Sequence, residues 1–212
     1  MEYDSSGNRA LTSARKHDGG FSLLELCLVV AILMIVAAMV FINAVSAVRN
    51  IRLTQSATSY ANLLQNARIR AVQDDTYYTV ITDPASAPPR AFVDLVKNQT
   101  YAPADPMAIF LQDVMPMTFG SGPGRADLIS KFLPTAGSAT VDAGDPGPTF
   151  GPRGLPCKPS ALSGGSCSSM TPTSYITFLR NSQSTKWEAV TVTPAGRIGI
   201  WSYDGTTWSP LN

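Results

Sequence analysis

Between Leu26 and Val48 no side chain carries a charge, and from Leu26 to Ile42 none is more polar than the Cys27 thiol. Few folds can absorb such a run in a chain of 212 residues. As an α-helix, Leu26–Ile42 would span roughly 25 Å and Leu26–Val48 roughly 34 Å, because each residue rises about 1.5 Å. A bilayer core is about 30 Å thick, so the stretch suffices for one crossing. Asn43 and Ser46 then fall near one interface, where Arg49 and Arg52 can reach the headgroups. Arg15 and Lys16 lie on the other side and favour a cytoplasmic N-terminus, an orientation signal that Arg49 and Arg52 partly offset. Glu25 stands at the edge of the run. A carboxylate beside hydrocarbon is costly unless it is paired, so its presence asks for a partner.

A cleaved secretory signal is the competing reading. Basic residues before an apolar core fit it, and Ala44-Val45-Ser46-Ala47 supplies small residues for a cut. The core is longer than such signals use, which favours a retained anchor. A start of the mature chain near Val48 would decide for the signal.

The residues around the edge of the run are more specific. Gly20-Phe21-Ser22-Leu23-Leu24-Glu25-Leu26, after a short leader with basic residues, resembles the type IV prepilin signal. The resemblance implies a leader of residues 1–20, cut after Gly20 by a prepilin peptidase, and methylation of the new amine at Phe21. It also gives Glu25 an assembly role, pairing with the N-terminal amine of a neighbouring subunit. Within one subunit Phe21 and Glu25 are one helical turn apart, which would favour their pairing.

Proline and glycine divide the rest of the chain. No glycine occurs between Gly20 and Gly120, and all 16 prolines lie from Pro84 onward. One continuous helix to about Gln73 is therefore expected. Its membrane half is assigned to residues 21–48 and its amphipathic half to 49–75. In the latter, Leu53, Ala57, Tyr60, Leu64, Ala67 and Ala71 recur at alternating spacings of four and three. Gln55, Asn62, Gln65 and Arg68 lie off that stripe, which should pack on the protein's own sheet. Asp74-Asp75 marks the exit, since anions oppose the dipole at a helix C-terminus.

Beyond the helix the hydrophobic period changes to two. Strands are expected at Thr76–Thr82, Ala91–Val96, Met107–Leu111, Leu128–Leu133, Tyr175–Leu179, Trp187–Thr193 and Arg197–Tyr203. Pro194-Ala195-Gly196 should turn the last two into a hairpin, and Asp204-Gly205 should lead into Thr206–Trp208. The expected fold class is α+β, a long N-terminal helix packed on a mostly antiparallel β domain of residues 76–212. Leu63–Val72, Phe150–Pro156 and Val190–Ile200 resemble segments of the GspH/FimT-like group, minor subunits of type II secretion pseudopili and type IV pili. That resemblance implies a minor pseudopilin in protein secretion, with a FimT-like minor pilin of pilus assembly or DNA uptake as the alternative. Implied partners are other pilin-like subunits, the inner-membrane assembly platform and the prepilin peptidase. The implied location is the bacterial cytoplasmic membrane, single-pass, with the C-terminal domain extracytoplasmic. A membrane-tethered module that never polymerises is a third reading, and it would tolerate Glu25→Leu.

Catalysis finds little support. The sole histidine, His17, lies in the leader, which removes histidine-based nucleophile activation from the mature chain. Gly120-Ser-Gly-Pro-Gly124 has neither phosphate-loop nor dinucleotide spacing. Asp142 and Asp145 read as solvated turn residues, so no metal or cofactor is expected. Cys157 and Cys167 lie in one Gly/Ser-rich loop with Cys27 out of reach. An extracytoplasmic location permits their disulfide, and free thiols remain the alternative. The net charge is +1, which gives no charge-driven case for nucleic acid. By resemblance to FimT-like pilins, Arg153, Lys158, Arg180, Lys186 and Arg197 are candidate phosphate contacts, with Trp187, Trp201 and Trp208 as stacking partners. They are dispersed, without the basic run that backbone binding uses.

Overall fold

The computed structural model describes residues 22–117, 119–133, 140–142, 147–158, 167 and 173–211. The chain divides into two compact units, Met1–Asn43 and Ala44–Asn212. Helix α1, Leu23–Gln73, contains the apolar run and the amphipathic stripe, with the C-terminus expected from the sequence. In the first unit its apolar side chains are exposed, Leu33 at 60% and Met34 at 68%. Its apolar window has a mean hydropathy of 2.9 and none of it is buried, so the helix is long and apolar enough to cross a membrane.

In the second unit, the face of α1 carrying Leu53, Ala57, Tyr60, Leu64, Ala67 and Ala71 is closed from solvent. The strands that close it follow in two sheets. The first has β1 (Tyr78–Asp83), β2 (Arg90–Asp94), β3 (Met107–Ile109), and later β6 (Thr149–Phe150) and β7 (Pro156–Cys157), ordered β3-β2-β1-β6-β7. The second is ordered β11-β10-β9-β8-β4. It comprises β4 (Val114–Met117), β8 (Thr173–Asn181), β9 (Trp187–Val192), β10 (Ile198–Tyr203) and β11 (Trp208–Leu211). A short strand β5 (Thr140–Asp142) pairs in parallel with β8, and the other pairings are antiparallel. The architecture is therefore α+β, one long N-terminal helix against a mostly antiparallel β domain.

Both sheets contribute to a single core under α1. Val80, Val93, Ala108 and Phe150 come from the first, and Tyr175, Leu179, Val190 and Val192 from the second. Small residues in the helix let the strands approach closely, while Tyr60 fills the centre against Phe110 at 5.9 Å. Its hydroxyl shares a hydrogen bond with Thr177 Oγ1 at 3.1 Å, which satisfies the polar end of a fully buried ring.

One expectation is corrected. Leu128–Leu133 is not a strand; it lies in helix α2, Arg125–Phe132, followed by Leu133. Leu128 and Phe132, four residues apart, occupy one face and are buried against the second sheet with Ile176, Phe178 and Trp208. Asp127 and Lys131 lie in the first and last turns, where their charges suit the helix dipole, and they bridge at 3.0 Å. Eight residues are too few for hydrophobic period alone to separate helix from strand. Strands β4 and β5 were not anticipated.

The final hairpin forms as expected, and its register sets Trp187 opposite Tyr203 and Val192 opposite Ile198. At its turn Gly196 has φ 78°, and Gly196 N donates to Thr193 O at 2.8 Å. At the next turn Asp204 Oδ1 accepts from the backbone N–H groups of Thr206 and Thr207, each at 2.8 Å. Those donors pull the Asp204 carboxyl down to about 2.

Candidate assembly surface

Helix α1 starts at Leu23, which puts Ser22 at the N-cap and Glu25 at the third helical position. That Ser-x-x-Glu spacing is the capping-box pattern, a second reason for Glu25 to stand where it does, and one the sequence reading missed. Leu26 N donates to Ser22 O at 3.0 Å, closing the first turn. A carboxylate in this turn also suits the positive end of the helix dipole. Glu25 is exposed, and the apolar residues that follow it are exposed too. Gly20 and Phe21 lie outside the described residues.

The outward face of α1 in the second unit differs from the buried stripe. Val48, Ile51, Ile69 and Val72 are about half exposed, and Gln55, Asn62 and Gln65 lie exposed between them. Arg68, expected off the stripe, is half-buried and tied inward. Its Nε donates to Gly154 O at 2.9 Å, in the turn between β6 and β7. A Cβ on Gly196 would stand 2.7 Å from Gly154 O and 3.1 Å from Arg68 Nε, so the hairpin tip can reach this point only as glycine. The helix end, the Phe150–Pro156 turn and the final hairpin, three separate stretches of sequence, thus meet at Arg68.

Glu188 is a feature no local pattern announced. It lies on β9 facing α1 and is 4% exposed. Oε1 accepts from Thr54 Oγ1 at 2.6 Å, while Oε2 is buried without a partner. Burial pushes this carboxyl up, more than the Thr54 bond and nearby Lys186 pull it down.

Cys157, at the end of β7, is bonded to Cys167, with Cα atoms 5.7 Å apart. The Tyr175 hydroxyl donates to Cys157 O, anchoring this side of the bridge to β8. Cys27 is a free, exposed cysteine in the apolar half of α1. Among the described residues no three His, Cys, Asp or Glu side chains gather as a metal site would require. Asp142 ends β5, and Asp145 lies outside the described residues.

The candidate nucleic-acid contacts do not come together. Arg180 and Lys186 flank Trp187, with the Arg180 guanidinium 5.5 Å from the ring centre. Arg197 stands at the opposite end of the β9–β10 hairpin, some six residues and about 20 Å from Trp187 along the strand. Arg153 sits beside Gly154, in the turn that meets the Gly196 end. Arg153, Lys158, Arg180, Lys186 and Arg197 are all exposed, and Trp187 and Trp201 are half-buried. Trp201 Nε1 donates to Thr191 Oγ1 at 3.0 Å. Trp208 is corrected from stacking partner to core residue. It is 1% exposed, packed on Phe178 and Tyr203, and its Nε1 donates to Pro123 O at 2.9 Å.

No curated protein and no solved structure matches the chain. Residues 15–41 match the prokaryotic N-terminal methylation motif, a stretch that includes Gly20, Phe21 and Glu25. The chain thus carries a prepilin-type N-terminal methylation motif ahead of a pilin-like long-helix and β-sheet architecture.

Proposed function

We propose that this chain is a minor pseudopilin, a non-enzymatic structural subunit of a type II secretion pseudopilus. The observation that supports a pilin-like subunit is the methylation motif at residues 15–41 running directly into α1, and the choice of a secretion pseudopilus rests on the resemblance of Leu63–Val72, Phe150–Pro156 and Val190–Ile200 to the GspH/FimT-like group. Cleavage after Gly20 would free an amine at Phe21, one helical turn from Glu25. In a filament, Glu25 would meet the amine of a neighbouring subunit, so that each charge is neutralised away from water. The exposed apolar face of residues 23–39 would hold the subunit in the cytoplasmic membrane before assembly and then pack among the helices of its neighbours. The β domain would lie on the extracytoplasmic side, its fold reinforced by the Cys157–Cys167 bridge. Partners would be other pilin-like subunits, the inner-membrane assembly platform and, during maturation, a prepilin peptidase.

Mass spectrometry of the membrane-bound chain tests the first step. A mature N-terminus at methylated Phe21, lost when Gly20 is replaced by a bulky residue, is the expected result. An uncut chain in a host with active prepilin peptidase refutes it. Affinity capture of the membrane form then separates the systems. Secretion pseudopilins among the partners support the proposal, whereas pilus or competence subunits reassign the chain to a minor type IV pilin. Recovery as a monomer, with Glu25→Leu behaving like the parent, leaves only a membrane tether.

A further inference from the structure

An open depression of about 400 Å³ lies at the end of the first sheet, where β1 and β2 meet the loop before β3. Arg90, Asp83, Gln99, Thr100 and Tyr101 line its polar side. Arg90 is an under-used cation. Its guanidinium lies 4.3 Å from the centre of the Tyr101 ring, and its contact with Asp83 Oδ2 is a long 3.5 Å. Its Nε is buried with no hydrogen-bond partner. A buried donor left unpaired is costly, so such groups call for an explanation.

The rim opposite Arg90 is held in a costly conformation. Lys97 and Gln99 both have left-handed backbones, φ 60° and 62°, without being glycine. Two buried carboxylates fix that loop. Asp94 accepts from Asn98 N at 3.2 Å and Gln99 N at 2.7 Å. Asp105 accepts from Leu95 N at 3.2 Å and Ala102 N at 2.7 Å. Tyr101 is braced from below by Phe92 at 5.6 Å, edge to face. Strain maintained by its surroundings in this way is characteristic of binding sites. Among the described residues, neither the Gln99 side-chain amide nor the Tyr101 hydroxyl forms a hydrogen bond. Arg90 Nε is closed from solvent, so the groups left to meet an acceptor are the outer N–H groups of the Arg90 guanidinium, whose side chain is 31% exposed, the side-chain amide of Gln99 and the O–H of Tyr101.

We propose that this depression is a recognition site for a carboxylate group, with Arg90 as its charged anchor and the side chains of Gln99 and Tyr101 as its polar rim. Arg90 is the one cation lining the depression and Asp83 the one acid, so an incoming carboxylate must compete with Asp83 for the guanidinium, and a more highly charged anion would be opposed more strongly. Lys97 is committed elsewhere, donating to Thr76 Oγ1 at 2.8 Å. A planar carboxylate also matches the fork of a guanidinium, and it would take over the donors that Asp83 holds only at long range. This site lies on the β domain, and the proposal does not depend on the chain's role in a filament.

The test uses the full-length chain in detergent, labelled with ¹⁵N at arginine and backbone amides. Three carboxylate probes are titrated, with inorganic phosphate alongside for comparison: acetate, an acetylated peptide amide with one internal glutamate, and the Gln-containing counterpart with a free C-terminal carboxylate. Saturable shifts at Arg90 Nε–H and at the Thr100 and Tyr101 amides are expected. The probe that binds best identifies the source, small anion, acidic side chain or chain end. Arg90→Gln should weaken binding at least tenfold. Asp83→Asn should tighten it several-fold by removing the competing acceptor, an effect that a merely structural Arg90–Asp83 pair would not give. The proposal is overturned by linear, unsaturable shifts with all three probes. Equal binding to Arg90→Gln overturns it too, as does unchanged or weaker binding to a folded Asp83→Asn, or tighter binding of inorganic phosphate than of any carboxylate.

Discussion

The two halves of α1 are built from similar side chains and treat them oppositely. In residues 23–39 the apolar residues surround the helix and are exposed on every side. In residues 53–71 they are confined to one stripe, which the two sheets close completely. A helix apolar all round needs an apolar medium or many neighbours, whereas an amphipathic one needs a single surface. The contrast teaches that burial within this chain is finished in one half and deferred in the other.

That contrast can be broken most directly in the buried half. Tyr60→Ala should lose about 3–5 kcal/mol of folding stability, the usual cost of deleting a fully buried large side chain. Leu33→Ala, at a position 60% exposed, should change stability by less than about 0.5 kcal/mol. Denaturant melts of the full chain in detergent, followed by tryptophan fluorescence, measure both. Comparable losses for the two would mean that the first half is not free of intramolecular packing.

Reducing the Cys157–Cys167 bond should destabilise the second unit by about 2–3 kcal/mol, because it closes a short loop in the unfolded chain. The same melt with and without reductant reads this, and a Cys157→Ser/Cys167→Ser double variant should be insensitive to reductant. An equal response of that variant would trace the effect to something other than the bridge.

Glu188 gives a smaller, pH-dependent effect. Its folded carboxyl is raised above the ordinary 4.5, so the folded state holds its proton more tightly than the unfolded one. Below 4.5 the group is neutral in both states and costs nothing. As pH rises through the raised value, stability falls. Asp204 has the opposite sign. Lowered from 3.8 to about 2, it contributes stability that is present above 3.8 and lost as pH falls through 2. Stability should therefore pass through a maximum between these windows. Glu188→Gln should flatten the decline on the alkaline side while leaving the acid limb in place. An unaltered alkaline limb would show that Thr54 and the surroundings already compensate the charge.

The smallest stability effect is expected on the outward face of α1. Ile69→Ser, at 47% exposure, should move the melt by no more than about 0.5 kcal/mol. Its recovery with other pilin-like subunits in affinity capture should fall if this face packs in the filament. A large loss of stability with unchanged capture would reverse that assignment.

The sequence by itself determined the elements whose information is local. The uncharged run, the absence of Gly and Pro between Gly20 and Pro84, and the four-and-three spacing from Leu53 to Ala71 specified α1 and its buried face. The period-two pattern with Pro194-Ala195-Gly196 specified the last hairpin. What failed was short or non-local. Strand β4 is four residues long and contains Pro116, and α2 gives one buried i,i+4 pair, so neither carries enough periods to be recognised. Tertiary structure alone decided which distant residues meet. It placed Arg68 on Gly154 beside Gly196, closed Glu188 against Thr54, sank Trp208 beneath α2, and gathered Arg90, Gln99 and Tyr101 around one depression. The physical reason is that side-chain period follows from backbone geometry within a few residues. Contacts across strands and between sheets depend instead on the register and layering of segments far apart in the chain.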